Sequence, residues 1–267
     1  MPGYLLSQWA LSEHEGVLRV ATTEEPAWWA PPDGTEAAPG ESRVTVLAES
    51  GGRLVRTGEV RGLGRGERIH AVRFLGDRGY VVTFRQVDPL YVLDLADPAA
   101  PALRGELKTP GFSSYLHPID AGTLIGIGQD ADAGGRVRGT QVSLFDVSDP
   151  ARPARLAQRT LDAGWSEAES DHLAFLWWPA ARLLVVPVQG WGAGTAAPFL
   201  GAVGLHVDRA TGITPIARVR HPGDPGDAWA PVRRAVVAGG ALHTVSDAGV
   251  LTSDPATLAP RGWLAFP

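Results

Sequence analysis

Short apolar runs that end in an acidic turn recur along the chain. Tyr91-Val92-Leu93-Asp94-Leu95-Ala96-Asp97-Pro98 is followed by a near copy, Ser143-Leu144-Phe145-Asp146-Val147-Ser148-Asp149-Pro150. Weaker versions begin at Gly204 and Val250, and an earlier one at Val44. An Asp side chain can bond its own backbone and Pro presets φ, so each marker is suited to reversing an extended chain. Upstream of each marker lies a hairpin pattern. The clearest runs from Ile69 to Phe74, turns at Gly76-Asp77-Arg78-Gly79 and returns from Tyr80 to Phe84. Further pairs are predicted at Leu6 to Leu11 with Val17 to Thr22, Tyr115 to Ile119 with Thr123 to Gly128, His172 to Trp177 with Leu183 to Val188, and Val232 to Val237 with Leu242 to Ser246. Final strands follow at Leu103 to Leu107, Arg155 to Thr160 and Ile216 to Val219.

Each unit therefore reads as four antiparallel strands, and no sustained helical periodicity competes with that reading. A repeat of roughly 40 to 50 residues made of four strands is a propeller blade. The expected fold class is all-β, a β-propeller of about five four-stranded antiparallel blades, whole or part of a larger ring. One domain spans 1–267, with blades over 4–62, 67–108, 113–161, 171–220 and 231–265. A blade cannot bury both faces alone, so neighbours must stack, with Trp28, Trp29, Trp177, Trp178 and Trp191 available for that packing. An arc of five that did not close would leave two raw sheet edges and promote self-association.

Composition narrows the partners. Hydrophobic residues make up 44% of the chain, enough for a substantial core. A net charge of −5 leaves no electrostatic footprint for nucleic acid. There are no cysteines, so neither disulfides nor thiolate chemistry enter. Met1 to Gly16 carries no Lys or Arg, and its apolar run is broken by Ser7 and Gln8, which fails the signal-peptide pattern. No apolar stretch approaches the roughly 20 residues of a membrane helix. The chain taken as complete would then be cytoplasmic, without membrane insertion.

The stretch Gly76-Asp77-Arg78-Gly79-Tyr80-Val81-Val82-Thr83-Phe84-Arg85-Gln86-Val87-Asp88-Pro89-Leu90 resembles the secreted bacterial and archaeal proteins that carry a C-terminal β-propeller domain distantly related to WD repeats. Leu18 to Thr23, Pro110 to Pro118 and Ser143 to Asp149 support the likeness, which covers nearly the whole chain. The resemblance implies a propeller at the cell surface or outside the cell. It carries over no catalytic residue. Members of that family are longer, with a signal sequence and a further domain upstream, so the chain looks like their C-terminal portion.

Polar residues gather at the predicted starts of the innermost strands: Glu67, His70, His117, Glu167, Asp171, His172 and Arg233. In a propeller such positions tend to line the mouth of the central channel, where His and carboxylate groups could hold a metal or an anion. The simpler reading makes each a solvated loop residue or a hydrogen-bonded partner of a neighbouring blade, and it is preferred because no pair has metal-ligand spacing. Asp130 and Asp132 precede Gly134-Gly135 and offer oxygen ligands for calcium, but Arg136 and Arg138 follow where a calcium loop needs more acid. A long polar hairpin explains them as well. Ser166 to His172 holds serine, acid and histidine together, without a nucleophile elbow or a His-Glu-x-x-His pattern. Gly190-Trp191-Gly192-Ala193-Gly194 is a loop in which Trp191 could stack on a ligand or simply sit in a flexible insertion. The expected function is non-catalytic binding or scaffolding with a protein or glycan partner and no cofactor beyond a calcium candidate. The alternative is an enzyme or metal-binding protein using the channel mouth.

Overall fold

The computed structural model describes residues 2–25, 40–84, 88–132, 134, 136–161, 164–190, 198–222 and 230–267. Trp28, Trp29 and Trp191 lie outside them. Among the described residues five sheets form, each from strands consecutive in sequence. The first holds β1 (Leu11–His14), β2 (Val17–Glu24), β3 (Glu41–Ser50) and β4 (Arg53–Leu63). The second holds β5 (Arg68–Leu75), β6 (Arg78–Phe84), β7 (Asp88–Asp94) and β8 (Ala102–Thr109). The third holds β9 (Phe112–Asp120), β10 (Thr123–Ala131), β11 (Val137–Asp146) and β12 (Ala154–Thr160). In the fourth, β13 (Gly164–Trp165) and β14 (Leu176–Trp178) both pair with β15 (Leu183–Gly190), which leads to β16 (Phe199–Asp208) and β17 (Gly212–Val219). The fifth holds β18 (Arg234–Ala238), β19 (Ala241–Ser246), β20 (Gly249–Ser253) and β21 (Pro260–Ala265).

The acidic markers are the turns between third and fourth strands. Asp94 Oδ1 accepts the Ala96 N–H at 3.0 Å, Asp146 Oδ1 that of Ser148 at 3.0 Å, and Asp254 Oδ1 those of Ala256 and Thr257 at 2.9 Å. Asp97 and Asp149 repeat the device on Ala99 and Ala151. These bonds hold the Asp94 and Asp254 carboxyls below their ordinary range. The two-residue hairpin between β18 and β19 has Gly239 and Gly240 at φ 56 and 72, where any side chain would be strained.

In the first, second, fourth and fifth sheets the last strand carries one extra residue just past the marker. Pairing slips at Val46/Leu47, Val92/Leu93, Gly204/Leu205 and Thr252/Ser253, so Thr57, Arg104, Ile216 and Arg261 stand unpaired. The next residue is Gly58, Gly105, Ala217 or Gly262. Such bulges bend a strand and sharpen its twist.

The chain packs as two compact units. One comprises 1–124, 131–136 and 145–155, the other 125–130, 137–144 and 156–267. In the first, Val44, Leu63, Ile69, Val81 and Leu93 pack between the first two sheets, and Tyr80, Val82, Leu116, Leu124 and Phe145 continue that core. In the second, Leu183, Val185, Val232, Leu242, Leu251 and Leu258 pack together with half-buried Trp178 against them. Each such side chain contributes about 1.5–3 kcal/mol by leaving water. Middle strands such as β10 and β15 are buried along their whole length, whereas the edge strand β12 alternates between exposed and half-buried.

Two predicted strands are corrected. Gln8–Ala10 forms a 3-10 turn, with Ser7 Oγ accepting the Trp9 N–H, so β1 starts only at Leu11. His172–Ala174 is likewise a 3-10 turn capped by Asp171, and the strand predicted from His172 begins at Leu176. In both places a capping side chain competes with the ladder for backbone N–H groups.

Candidate functional site

The seven polar residues predicted for the channel mouth fall into two settings. In the second unit, Ser166 opens a 3-10 turn over Glu167–Glu169 through a capping box: its Oγ accepts the Ala168 N–H, and Glu169 Oε1 accepts the Ser166 N–H at 2.8 Å. That turn holds Glu167 nearly buried, at 8% exposure. Arg233 Nε lies 2.7 Å from Glu167 Oε2, and Arg234 donates to Glu167 Oε1 at 3.1 Å and to Asp171 Oδ2 at 2.5 Å. Glu167, Asp171 and Arg233 thus converge, and Arg234 completes a four-membered ion-pair cluster. The Glu167 carboxylate holds the Arg233 guanidinium above its ordinary range.

A second layer backs the cluster. Glu169 accepts Gln129 Nε2 on both oxygens, at 2.6 and 2.7 Å, and Thr140 Oγ1 at 3.1 Å. Burial raises the Glu169 carboxyl above the usual carboxylate range despite those donors. Ser166 Oγ donates to the Pro187 carbonyl at 2.5 Å. The serine in the serine, acid and histidine run therefore serves the backbone. His172 is half-buried in the next 3-10 turn.

In the first unit Glu67 accepts from Thr83 Oγ1. His70 on β5 stands among aromatic rings: Phe112 at 4.6 Å and Phe84 at 5.7 Å between centroids, with the two phenylalanines 4.5 Å apart. Burial, with the Arg68 cation adding to it, pushes the His70 imidazole down to about 4. His117 on β9 meets the Tyr115 hydroxyl at 3.2 Å, and burial together with Arg73 pushes it down to about 4. Arg73 lies over the Trp9 ring at 3.9 Å and reaches Tyr115 Oη at 3.4 Å. Both imidazoles are neutral at neutral pH.

Asp130 and Asp132, the calcium candidates, have separate work. Asp130 accepts Gln158 Nε2 at 3.0 Å and Thr160 Oγ1 at 2.8 Å, one on each oxygen. Asp132 Oδ1 accepts the N–H groups of Gly134 and Arg136 at 3.0 Å, which shapes the turn. A cation at Asp130 would have to displace both of its donors. Among the described residues, His14, Glu15 and Asp77 also bring one ligand atom each within 4.8 Å of one another. They are half-buried or exposed, and His14 and Asp77 already pair at 3.2 Å.

Sequence reasoning missed Arg234, Glu169, Arg73 and Tyr115. For the first two a signal existed: Arg233-Arg234 is a doublet of cations before a strand, and Ser166-x-x-Glu169 is a capping-box pattern. For the others none did, since Arg73 and Tyr115 meet across 42 positions.

Successive antiparallel sheets, each folded from its own stretch of sequence as a run of four strands, define the β-propeller class. The chain belongs to the family described as Beta propeller domain, which matches it over residues 1–258. An uncharacterized protein of Archaeoglobus fulgidus is 46% identical over 176 residues, 66% of this chain and 25% of that protein. The uncharacterized protein MJ1554 of Methanocaldococcus jannaschii is 40% identical over 185 residues, 69% of this chain and 27% of that protein. The chain thus spans about a quarter of the length of the curated relatives it matches. The crystal structure of Saccharomyces cerevisiae Sqt1 matches at a TM-score of 0.54 and 11% identity, over 96% of this chain and 62% of that one, which shows the fold alone. Among the described residues no helix is long and apolar enough to cross a membrane.

Proposed function

We propose that the protein is a non-catalytic binding or scaffold propeller that presents its loops to a protein or glycan partner. The observation that carries this reading is the Glu167 cluster. Both oxygens of the most buried acid among the channel-mouth candidates are taken up by Arg233 and Arg234, so its charge holds a turn against the next sheet. A cation bound at that place would have to displace the two guanidinium groups or meet their charge. His70 and His117 are embedded in aromatic contacts that favour packing in the same way. The family resemblance supports a position at the cell surface or outside the cell, to be checked by fractionating the native host.

The test is turnover. The purified chain is incubated with ester, peptide and glycoside substrates, and its metal content is measured alongside. No turnover and no stoichiometric metal are expected. Activity that disappears in Glu167→Ala or His172→Ala would overturn the reading in favour of a propeller enzyme.

A further inference from the structure

Within the first unit, the turn after β1 meets the turn before β6. Glu15 and Gly16, at φ 50 and 78, join β1 to β2, and Gly76 with Asp77 joins β5 to β6. His14 Nε2 lies 3.2 Å from Asp77 Oδ1 across these turns, and the ligand atoms of His14, Glu15 and Asp77 all fall within 4.8 Å of one another. Both turns are pinned. Arg19, 2% exposed, donates to the Gly76 carbonyl at 2.5 Å and to Ser12 Oγ at 2.8 Å. The Asp77 carbonyl accepts the Leu95 N–H at 2.8 Å, and Glu13 Oε1 accepts the Gly16 N–H at 2.9 Å. The backbones of His14 and Asp77 are thus positioned before any ligand arrives.

Zinc binds imidazole nitrogen and carboxylate oxygen at about 2.0–2.2 Å, so two such ligands at a tetrahedral angle lie about 3.3 Å apart. His14 and Asp77 are already spaced as two ligands of one ion, and the exposed Glu15 side chain can swing to close the remaining gap. The oxygens of Asp130 and Glu167 are taken up by amide, hydroxyl and guanidinium donors, whereas the His14 to Asp77 contact is the one an ion would replace. Charge suits a divalent guest. Burial pushes the Arg19 guanidinium down and the Asp77 and Glu13 carboxylates act against that, so with Glu15 three carboxylates face one guanidinium. Asp77 also lines a cleft of about 420 Å³ in the same unit, with Arg78, Leu93, Arg104 and Asp149. That cleft leaves space beside Asp77 for the water that completes a three-ligand shell.

We propose that His14, Glu15 and Asp77 bind one divalent ion of the zinc class, through His14 Nε2 and a carboxylate oxygen of each acid. Imidazole in the donor set favours zinc over calcium and magnesium, which take oxygen. Binding at Nε2 leaves the imidazole proton on Nδ1. The ion ties the first sheet to the second, and the inference rests on neither reading of the function. Two of the three ligands are exposed, so the ion exchanges with solvent and is detected by adding metal, not from the content of the purified chain.

The test titrates the whole chain, freed of metal by chelator, with zinc chloride, followed by calorimetry and thermal unfolding. One equivalent is expected to bind, and zinc at about a hundredfold excess over its dissociation constant should raise the melting temperature by several degrees. Calcium at the same concentration should do neither. His14→Gln and Asp77→Asn are each expected to weaken zinc binding by more than about tenfold, the loss seen even for outer-shell partners, with little change in melting temperature in chelator. Should Asp77→Asn not fold, Glu15→Gln on its exposed turn decides, with the same loss expected. His206→Gln in the second unit should leave binding unchanged. The proposal is overturned if zinc shows no saturable binding, if binding survives His14→Gln and Glu15→Gln as it would for an adventitious ion only, or if calcium binds equally well.

Discussion

His70 and His117 in the first unit and Glu167, Asp171 and Arg233 in the second are polar residues near the beginnings of their repeats, yet the two groups are held by different physics. Around the histidines, aromatic rings and the Arg73 guanidinium replace water, and the imidazoles shed their charge. Around Glu167 the charges remain and are matched, guanidinium against carboxylate, over three short contacts. A buried polar group can be accommodated by losing its charge or by pairing it, and one chain uses both solutions. Polarity in a sequence therefore marks where such a choice is made without saying which way it falls.

The comparison can be broken most forcefully at Tyr115, which is 8% exposed and links Arg73 to His117. Tyr115→Ala is expected to cost about 3 kcal/mol in denaturant unfolding, and Tyr115→Phe, which keeps the ring, about 1 kcal/mol. Equal losses would mean that the hydroxyl bonds and not the aromatic packing hold the first unit's cluster. In the second unit Glu167→Ala is expected to cost about 2 kcal/mol, less than a fully buried pair because both arginines are partly exposed. Adding 0.5 M salt should shrink that loss while leaving the Tyr115 effect unchanged. A salt-insensitive Glu167 loss would move the second cluster into the same class as the first.

Acid dependence gives a third readout, confined to the histidines of the first unit. His70 and His117 have folded values near 4 against an ordinary 6.5, so between those limits the unfolded chain binds more protons than the folded one. Their contribution is therefore full above pH 6.5 and is lost as pH falls toward 4. The melting temperature should drop by roughly 5 °C across that window. His70→Phe combined with His117→Phe should flatten the slope. An unaltered slope in the double variant would place the titration elsewhere.

What was legible follows from range along the chain. Asp94, Asp146 and Asp254 act on residues two or three positions away, so their turns could be read directly, and with them the period and the sheet count. The hairpins were legible for the same reason. The 3-10 turns at Gln8–Ala10 and His172–Ala174 were also local, but Ser7 sits inside a run that reads as strand and Asp171 directly before one. The partners of Glu167 lie more than sixty positions away, a separation at which spacing carries no signal. Buried Arg43 makes the same point at shorter range. It pairs with Glu24, Glu41 and Glu59 across three neighbouring strands, contacts that need the register before they can be seen.

The bulge glycines form seams with proline turns and so give the repeats a fixed order: a Cβ at Gly58 would stand 2.4 Å from the Pro98 carbonyl oxygen, and one at Gly105 2.2 Å from that of Pro150. Gly58 and Gly105 face proline turns, whereas Ala157 in β12 faces the start of β17, where a Cβ on Gly212 would come within 3.2 Å. A turn seated as closely as those on Gly58 and Gly105 would collide with the methyl group of Ala157. The sheets are therefore not interchangeable parts. Exchanging two of them would preserve every strand and every hairpin and still spoil both seams, so the chain encodes the sequence of its repeats as well as their shape.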